Sequence, residues 1–163
     1  MTRTAGPTRA GADVPHRALM LLLRVLIAAA LVVTAVIHLQ LAPGYQQGPH
    51  EGIGQGTLFR LQAVASLAAA LYVLVRGTRP AYLIAALTAL SALAAVLITR
   101  YVPLPAIGPL PAMYEPVWYP AKTLTAVAEA LAAALACVGY LLLSRARAHP
   151  EHKDVSPEHR SIP

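Results

Sequence analysis

Few side chains in this sequence can take part in acid–base or metal chemistry, and those few lie in or beside long apolar stretches. Histidine exchanges protons near neutral pH and binds metals, and His38 lies where the first apolar stretch ends. His50 and Glu51 follow it in a glycine-rich segment. Glu129 lies inside the last apolar stretch, where an ionisable group is costly and by default suggests a function. These residue types suit binding, or the handling of protons or metal, at the edge of an apolar layer. The alternative is that His38 is an ordinary interface residue and that His50 and Glu51 are a solvated pair in the loop.

Metal and haem sites are only weakly indicated. Four residues of suitable ligand type for copper or zinc are weak candidates, because no tight spacing groups them: His38, His50, Glu51 and Met113. A b-type haem between helices usually takes two histidines at matching depth, and only the first apolar stretch contains a histidine. This argues against an intramembrane bis-histidine haem, and we predict no cofactor.

Known catalytic patterns are missing from the sequence. It contains neither a nucleophile elbow nor an HExxH motif. Its single cysteine, Cys137, rules out a thiol–disulfide reaction that needs a pair within the chain. An enzymatic function in the membrane therefore has less support than a role as a subunit of a complex or as a carrier.

The composition of the chain predicts the helices that must position these residues. The 163 residues are 57% hydrophobic and 12% charged, whereas a soluble domain is about 45–50% apolar and about 25% charged. Four stretches approach the roughly 20 apolar residues that a membrane-spanning helix needs: 18–41, 58–75, 81–99 and 121–143. The sequence predicts an all-α membrane protein with a four-transmembrane-helix bundle.

Charge predicts how the bundle is oriented. Of the 13 Lys and Arg residues, only Arg60, Arg100 and Lys122 lie outside the two tails, the start of the first span and the short link after the second span. Because positive charge accumulates on the cytoplasmic side, both termini are predicted to be cytoplasmic in a multi-pass plasma-membrane protein. The polar tails, 1–17 and 144–163, are predicted to be disordered. This distribution explains the net charge of +6 without a nucleic-acid partner.

Polar residues are predicted to gather in the outer half of the membrane. Counting depth along the four spans brings one set to neighbouring levels: His38, Arg60, Gln62, Ser66, Ser91, Thr125 and Glu129. Lys122 and Thr125 share a helix face with Glu129. This set is either an outward-facing pocket or a hydrogen-bonded packing layer, and the sequence leaves both open.

The loop before the last span is predicted to cover the outer face. Residues 100–120 contain six prolines, which favours an extended, polyproline-like path that forms a semi-rigid cap. Arg100 and Glu115 in this loop make a candidate outer-surface site.

Several motifs carry a resemblance to a known group of proteins. They are "HLQLAP" followed by Tyr45, "LFRLQAVASLAAALYVLVR", "ITRYVPLPAIGP", "EPVW" and a Glu within the last span. Over residues 19–143 the chain resembles a family of small four-span integral membrane proteins of high-GC Gram-positive bacteria that has no established activity. The resemblance directs attention to His38, Arg100, Glu115 and Glu129 without implying their roles.

Two functions are expected from these observations. The first is a non-enzymatic accessory or assembly subunit of a larger envelope or respiratory complex. Its partners would be the lipid bilayer and either other membrane-protein subunits or a second copy of the chain. The alternative is a small carrier, or a protein that handles metal or protons, with an outward-facing polar pocket.

Overall fold

The structure is a computed structural model that describes residues 13–45 and 53–148, with side chains over 16–45 and 53–145. These residues form four α-helices and no strand: α1 Asp13–Leu41, α2 Gln55–Arg76, α3 Arg79–Tyr101 and α4 Pro120–Ala148. The all-α prediction is confirmed, and each predicted span lies within one helix. His50, Glu51 and most of the two tails lie outside the described residues.

Successive helices run antiparallel and form a bundle with two distinct ends. One end, here called the loop end, contains the segment after α1 and the segment between α3 and α4. The other, called the termini end, contains the start of α1, the link between α2 and α3, and the end of α4. Among the four neighbouring pairs of helices, α2 and α3 make the least extensive contact.

The link between α2 and α3 is built from residues that end one helix and start the next. Gly77 adopts the left-handed conformation with φ 52°, and its N–H bonds the Val73 carbonyl at 3.0 Å. Glycine suits this position because it has no Cβ to clash. Thr78 is the N-cap of α3, and Pro80 lies in the first turn, where a missing N–H costs nothing. The link therefore holds α2 and α3 side by side at the termini end.

The termini-end half of the bundle is closely packed. Tyr82 is fully buried, and its ring lies so close to Gly139 of α4 that a Cβ there would clash with it. The Arg24 side chain fills the space beside Gly77 in the same way. Small alanines on α2, α3 and α4 let the helices approach. The core cluster of this half includes Ile27, Leu31, Ala70, Val73, Ala85, Ala89, Ala132 and Ala136.

The outward faces of the helices are apolar. All four helices are long and apolar enough to cross a membrane. Many large aliphatic side chains point away from the bundle, including Leu22, Leu61, Val64, Leu71, Val75, Leu87 and Val127. A helix of a water-soluble bundle would carry polar residues on that face.

The proline-rich loop folds back on itself, which corrects the predicted extended path. Leu104 and Met113 exchange two backbone hydrogen bonds of 3.0 Å, and Ile107 and Leu110 exchange two of 3.1 Å. The turn passes through Gly108 with φ 56°. Proline lacks an N–H, and the four paired residues are non-proline residues placed between the prolines. The loop still lies over the loop end, where the Ile53 N–H bonds the Pro109 carbonyl at 2.8 Å.

Candidate functional site

A cavity of about 800 Å³ opens at the loop end of the bundle. Its side walls come from the loop-end halves of α2 and α3, the pair that packs least extensively. Side chains from α1 and α4 close the back, and the proline-rich loop covers the top. Most of the lining is apolar, with polar side chains at the floor, back and top. The polar lining consists of His38, Tyr45, Gln55, Gln62, Ser91, Thr99, Tyr114, Glu115, Tyr119, Lys122 and Thr125.

Gln62 spans the floor of the cavity from α2 to α3. Its amide nitrogen donates to the Ser66 hydroxyl at 3.2 Å and to the Thr88 carbonyl of α3 at 3.5 Å. Ser66 is fully buried one turn further along α2. Gln62 thereby marks the level at which the gap between the two helices closes.

His38 presents one ring nitrogen on the back wall. Its Nδ1 lies 2.8 Å from the Thr34 carbonyl. Because a carbonyl only accepts, Nδ1 carries the hydrogen, and the neutral imidazole keeps Nε2 as an acceptor. The ring packs edge-on against Phe59 at 5.4 Å between centroids, and only 7% of the residue is exposed. The His38 ring is therefore held in one orientation, and its Nε2 can accept a hydrogen bond or bind a metal.

Three side chains form a hydrogen-bonded group at the top of the cavity. The Tyr45 hydroxyl donates to Glu115 Oε2 at 2.8 Å and lies 3.1 Å from the Tyr119 hydroxyl. Since the Tyr45 proton goes to the carboxylate, Tyr119 donates to Tyr45. Burial, then the bonds to Tyr119 and Glu115, raises the pKa of the Tyr45 phenol. Tyr45 therefore stays neutral and ties the end of α1 to the loop before α4.

Lys122 is a nearly buried cation beside this group. It is 6% exposed, donates from Nζ to the Glu115 carbonyl, and lies 5.6 Å from the centre of the Trp118 ring. Arg100 and Glu115 are the charged groups close enough to act on its ammonium. The guanidinium carbon of Arg100 stacks over the Tyr101 ring at 5.1 Å. The predicted pair of Arg100 and Glu115 thus belongs to a wider cluster that also contains Lys122.

Glu129 is fully buried inside the bundle beneath the cavity, and it does not line the cavity. Neither of its carboxylate oxygens has a hydrogen-bond partner among the described residues. The hydroxyls of Thr34 and Thr125 are likewise buried without a partner. Lys122, which shares its helix face, bonds a loop carbonyl instead. The interior of the bundle therefore holds polar groups that its own side chains do not satisfy.

The structure brings together only part of the predicted polar set. His38, Gln62 and Thr125 line the cavity, while Ser66 and Glu129 are buried. Arg60 lies outside this group, and Ser91 lines the cavity from an exposed position.

Arg60 does not join the set, because it is exposed and does not line the cavity. It is two residues from Gln62, and a helix turns about 100° per residue. Arg60 therefore points nearly opposite to Gln62, at a similar depth but on another face.

Ser91 lines the cavity from its open side and is exposed, so it does not belong to a buried layer with Glu129. Its hydroxyl donates to the Thr88 carbonyl of its own helix at 2.9 Å. This internal bond satisfies the hydroxyl without a partner from another helix.

The weak metal candidates are only partly placed. His38 and Met113 both line the cavity, whereas His50 and Glu51 are outside the described residues. Within 16–45 and 53–145, no three His, Cys, Asp or Glu side chains are grouped closely enough to hold a metal ion.

The sequence reasoning missed the roles of three site residues. The sequence assigned no role to Tyr45 or Tyr119, and it placed Lys122 only on the helix face of Glu129. One local signal was available, because Trp118 and Lys122 are four residues apart at the start of α4, a spacing at which side chains on a helix meet. The contacts of Tyr45 with Glu115 and Tyr119 join distant parts of the chain and have no such signal.

Comparisons with protein-family models, with curated proteins and with solved structures find no match to this chain. The resemblance to small four-span membrane proteins of high-GC Gram-positive bacteria therefore stays a prediction from sequence motifs.

Proposed function

We propose that this chain is a multi-pass protein of the plasma membrane that binds an amphipathic small molecule in its loop-end cavity. It acts as a carrier or binding protein and catalyses no reaction. The cavity between α2 and α3 is the observation that carries the proposal, because it combines apolar walls with a small number of convergent polar groups. Binding sites for small molecules commonly have this make-up.

Insertion into a membrane is supported by the outward faces of the helices. Exposed aliphatic side chains such as Leu71, Val75 and Leu87 are each more than half exposed. In water they would form a large apolar surface that favours association. In a bilayer the same surface meets hydrocarbon, and the helices satisfy their own backbone groups.

The proposed orientation puts the termini end in the cytoplasm and the loop end outside. Arg24, Arg76, Arg79 and Arg145 cluster at the termini end in the structure, whereas the loop end holds Arg60, Arg100 and Lys122. The tails add further positive charge on the termini side of the sequence. A reporter enzyme fused to the C-terminus should therefore be active if it is of a kind that functions in the cytoplasm. A reporter that functions only outside the cytoplasm should be inactive there.

The accessory-subunit role, with other membrane-protein subunits or a second copy as partner, stays a prediction. The binding role has better support because a cavity of about 800 Å³ is large enough for a sizeable ligand. It corresponds to the alternative function expected from the sequence, a small carrier with an outward-facing polar pocket. Binding of metal by this pocket has less support, since only His38 and Met113 of the four weak candidates line it.

The test is to look for a bound molecule directly. Native mass spectrometry of the full chain, released from membranes in mild detergent, should show a population that carries the mass of one lipid-sized molecule. Ala92 lines the cavity and is 4% exposed. Ala92→Phe should fill the space and remove the extra mass.

Leu87→Phe is the matched control, because Leu87 is on the same helix and is 57% exposed on the outward face. This variant should keep the bound molecule. A wild-type chain with no bound mass, or an Ala92→Phe variant that binds as well as wild type, would contradict the proposed function.

A further inference from the structure

We propose that the occupant of the cavity is an anionic lipid, with its phosphate group at Lys122 and its hydrocarbon chain in the gap between α2 and α3. This inference rests on the proposed function and adds to it the chemical class of the ligand. Three features carry it: the charge at the loop end, an unsatisfied hydroxyl below that charge, and the sideways opening of the cavity.

The Lys122 ammonium has bonding capacity to spare. It is 6% exposed, yet its protein partners are only a backbone carbonyl and the face of Trp118. An ammonium group has three donors, so two remain for a ligand in the cavity that Lys122 lines. The nearby Glu115 carboxylate is engaged by the Tyr45 hydroxyl at 2.8 Å. The Glu115 carboxylate attracts this ammonium from nearby, and the phosphate of an anionic ligand would add charge-assisted bonds to its two remaining donors.

Arg100 increases the positive charge at this end. It acts on Lys122 from nearby, and its Nε is buried without a hydrogen-bond partner. Arg100 and Lys122 together outnumber the single carboxylate of Glu115. Lys122 lines this largely apolar cavity and Arg100 lies beside Lys122 without lining it. Positive charge at this place attracts anions, and charge-assisted hydrogen bonds to phosphate are among the strong ones.

Thr125 provides an independent sign of an absent partner. It is 3% exposed, it lines the cavity, and it lies nearly one turn along α4 from Lys122. Its hydroxyl has no hydrogen-bond partner among the described residues. Buried polar groups are normally bonded, so this hydroxyl is available to an oxygen of a phosphate or of a neighbouring ester.

The opening of the cavity favours a lipid over a small soluble anion. Several lining residues are also exposed on the outward surface of the bundle: Leu61, Ala65, Ser91, Ala94, Ala95 and Ile98. Ser91 lies ten residues before the end of α3 at Tyr101, which is about 15 Å at 1.5 Å per residue. That depth is half of a hydrocarbon core about 30 Å thick. The gap thus has the depth of one leaflet and is open to it.

Binding of defined probes to the purified full chain tests this assignment. The probes are phosphatidylglycerol, diacylglycerol with the same acyl chains, and inorganic phosphate. The expected result is that phosphatidylglycerol binds about tenfold or more tightly than diacylglycerol, because only the former offers a phosphate for charge-assisted bonds. Inorganic phosphate should not compete at matched concentration, since it lacks the chain. Fluorescence of Trp118, the single tryptophan, provides a readout next to the site.

Lys122→Gln should reduce the preference for phosphatidylglycerol by about tenfold, since it removes the charge-assisted hydrogen bonds to the phosphate. Arg60→Gln is the matched control, because Arg60 is an exposed cation near the same end that does not line the cavity. It should leave the preference unchanged. The comparison of the two lipids on the wild-type chain needs no variant, so it remains decisive if Lys122→Gln fails to fold.

Equal binding of the two lipids, or competition by inorganic phosphate as strong as that by the lipid, would overturn the assignment while leaving the cavity as a binding site. Retained preference in a folded Lys122→Gln chain would overturn it as well. Failure of both lipids and of any co-purified molecule to bind would instead contradict the proposed function itself.

Discussion

The two halves of this bundle are built from the same four helices but pack in opposite ways. In the termini-end half, Tyr82 lies against Gly139 with no room for another atom, and alanines fill the space between helices. In the loop-end half, the same α2 and α3 enclose a cavity of about 800 Å³. In the closed half the helices meet through small residues. In the loop-end half Gln62 bridges α2 and α3 at the floor of the cavity, and the proline-rich loop covers its top.

This contrast separates a half that stabilises the bundle from a half that contains the proposed binding site. Close packing in the termini-end half holds the helices together through dispersion contacts, which drive association where lipid supplies no hydrophobic force. The loop-end half lacks some of those contacts, and it contains the buried side-chain oxygens without described partners, those of Thr34, Thr125 and Glu129. Substitutions should therefore have their largest effects on stability in the closed half.

The largest expected effect is that of Tyr82→Ala. Removing a fully buried ring leaves a hole in the closed half, and large-to-small changes of aromatic residues cost about 3–5 kcal/mol in well-packed cores. Phe59→Ala, on the cavity wall, should cost only about 1 kcal/mol, chiefly its ring contacts with His38 and Tyr45. Thermal or denaturant unfolding in detergent measures both. Equal losses would mean that the two halves are packed alike.

A smaller effect is expected when volume is added. Gly139→Val places three carbons against the Tyr82 ring, and overpacking costs about 1–3 kcal/mol. Ala92→Leu adds the same number of carbons to the cavity wall and should change stability by less than about 0.5 kcal/mol. The unfolding midpoints of the two variants provide the comparison. A destabilisation by Ala92→Leu as large as that by Gly139→Val would show that the cavity does not accept volume.

Removing an unsatisfied group should raise stability by about 1 kcal/mol. Glu129→Met keeps approximately the volume but deletes two buried oxygens without described partners, and a buried unsatisfied group costs about 1–3 kcal/mol. Thr34→Val makes the matched change on α1 and should stabilise by less. Loss of stability in Glu129→Met would mean that the carboxyl group has a partner, such as a proton-relay group or an ion.

The smallest effect concerns pH. The folded state raises the pKa of Tyr45, so this group binds a proton that the unfolded chain releases above about pH 10. The contribution of the protonated Tyr45 phenol to the free energy of unfolding is complete below that pH, and it declines as the pH rises further. Tyr45→Phe should reduce this alkaline loss of stability, and ultraviolet titration should show one late-ionising phenol fewer. A Tyr45→Phe chain with an unchanged alkaline profile would contradict the buried hydrogen-bonded phenol.

Much of the fold could be predicted from the sequence, because span length and hydropathy are local properties. Each predicted span lies within one observed helix. Glu129, which stands alone as a carboxylate in an apolar stretch, is fully buried inside the bundle. The helix face of a residue was not predicted: Gln62 lines the cavity, whereas Arg60, two residues away, faces outward.

Contacts between distant segments were beyond the sequence reasoning. The partner of Lys122 is a loop carbonyl, and Tyr45 meets Glu115 seventy residues later. The hairpin in the proline-rich loop depends on pairing between its non-proline residues. The composition of that loop signals restriction of the backbone, while the pairing depends on the bundle beneath it.

Thiol accessibility tests the contrast between the two halves most directly. In a Cys137→Ala background, Ala92→Cys and Ala89→Cys put a thiol at two positions one turn apart on α3, which in the wild type are 4% and 0% exposed. Ala92 lines the cavity, and Ala89 belongs to the closed core. A small membrane-permeant thiol reagent should modify Ala92→Cys rapidly in native membranes and leave Ala89→Cys unmodified. Equal reactivity at the two positions would contradict an open loop-end half above a closed termini-end half.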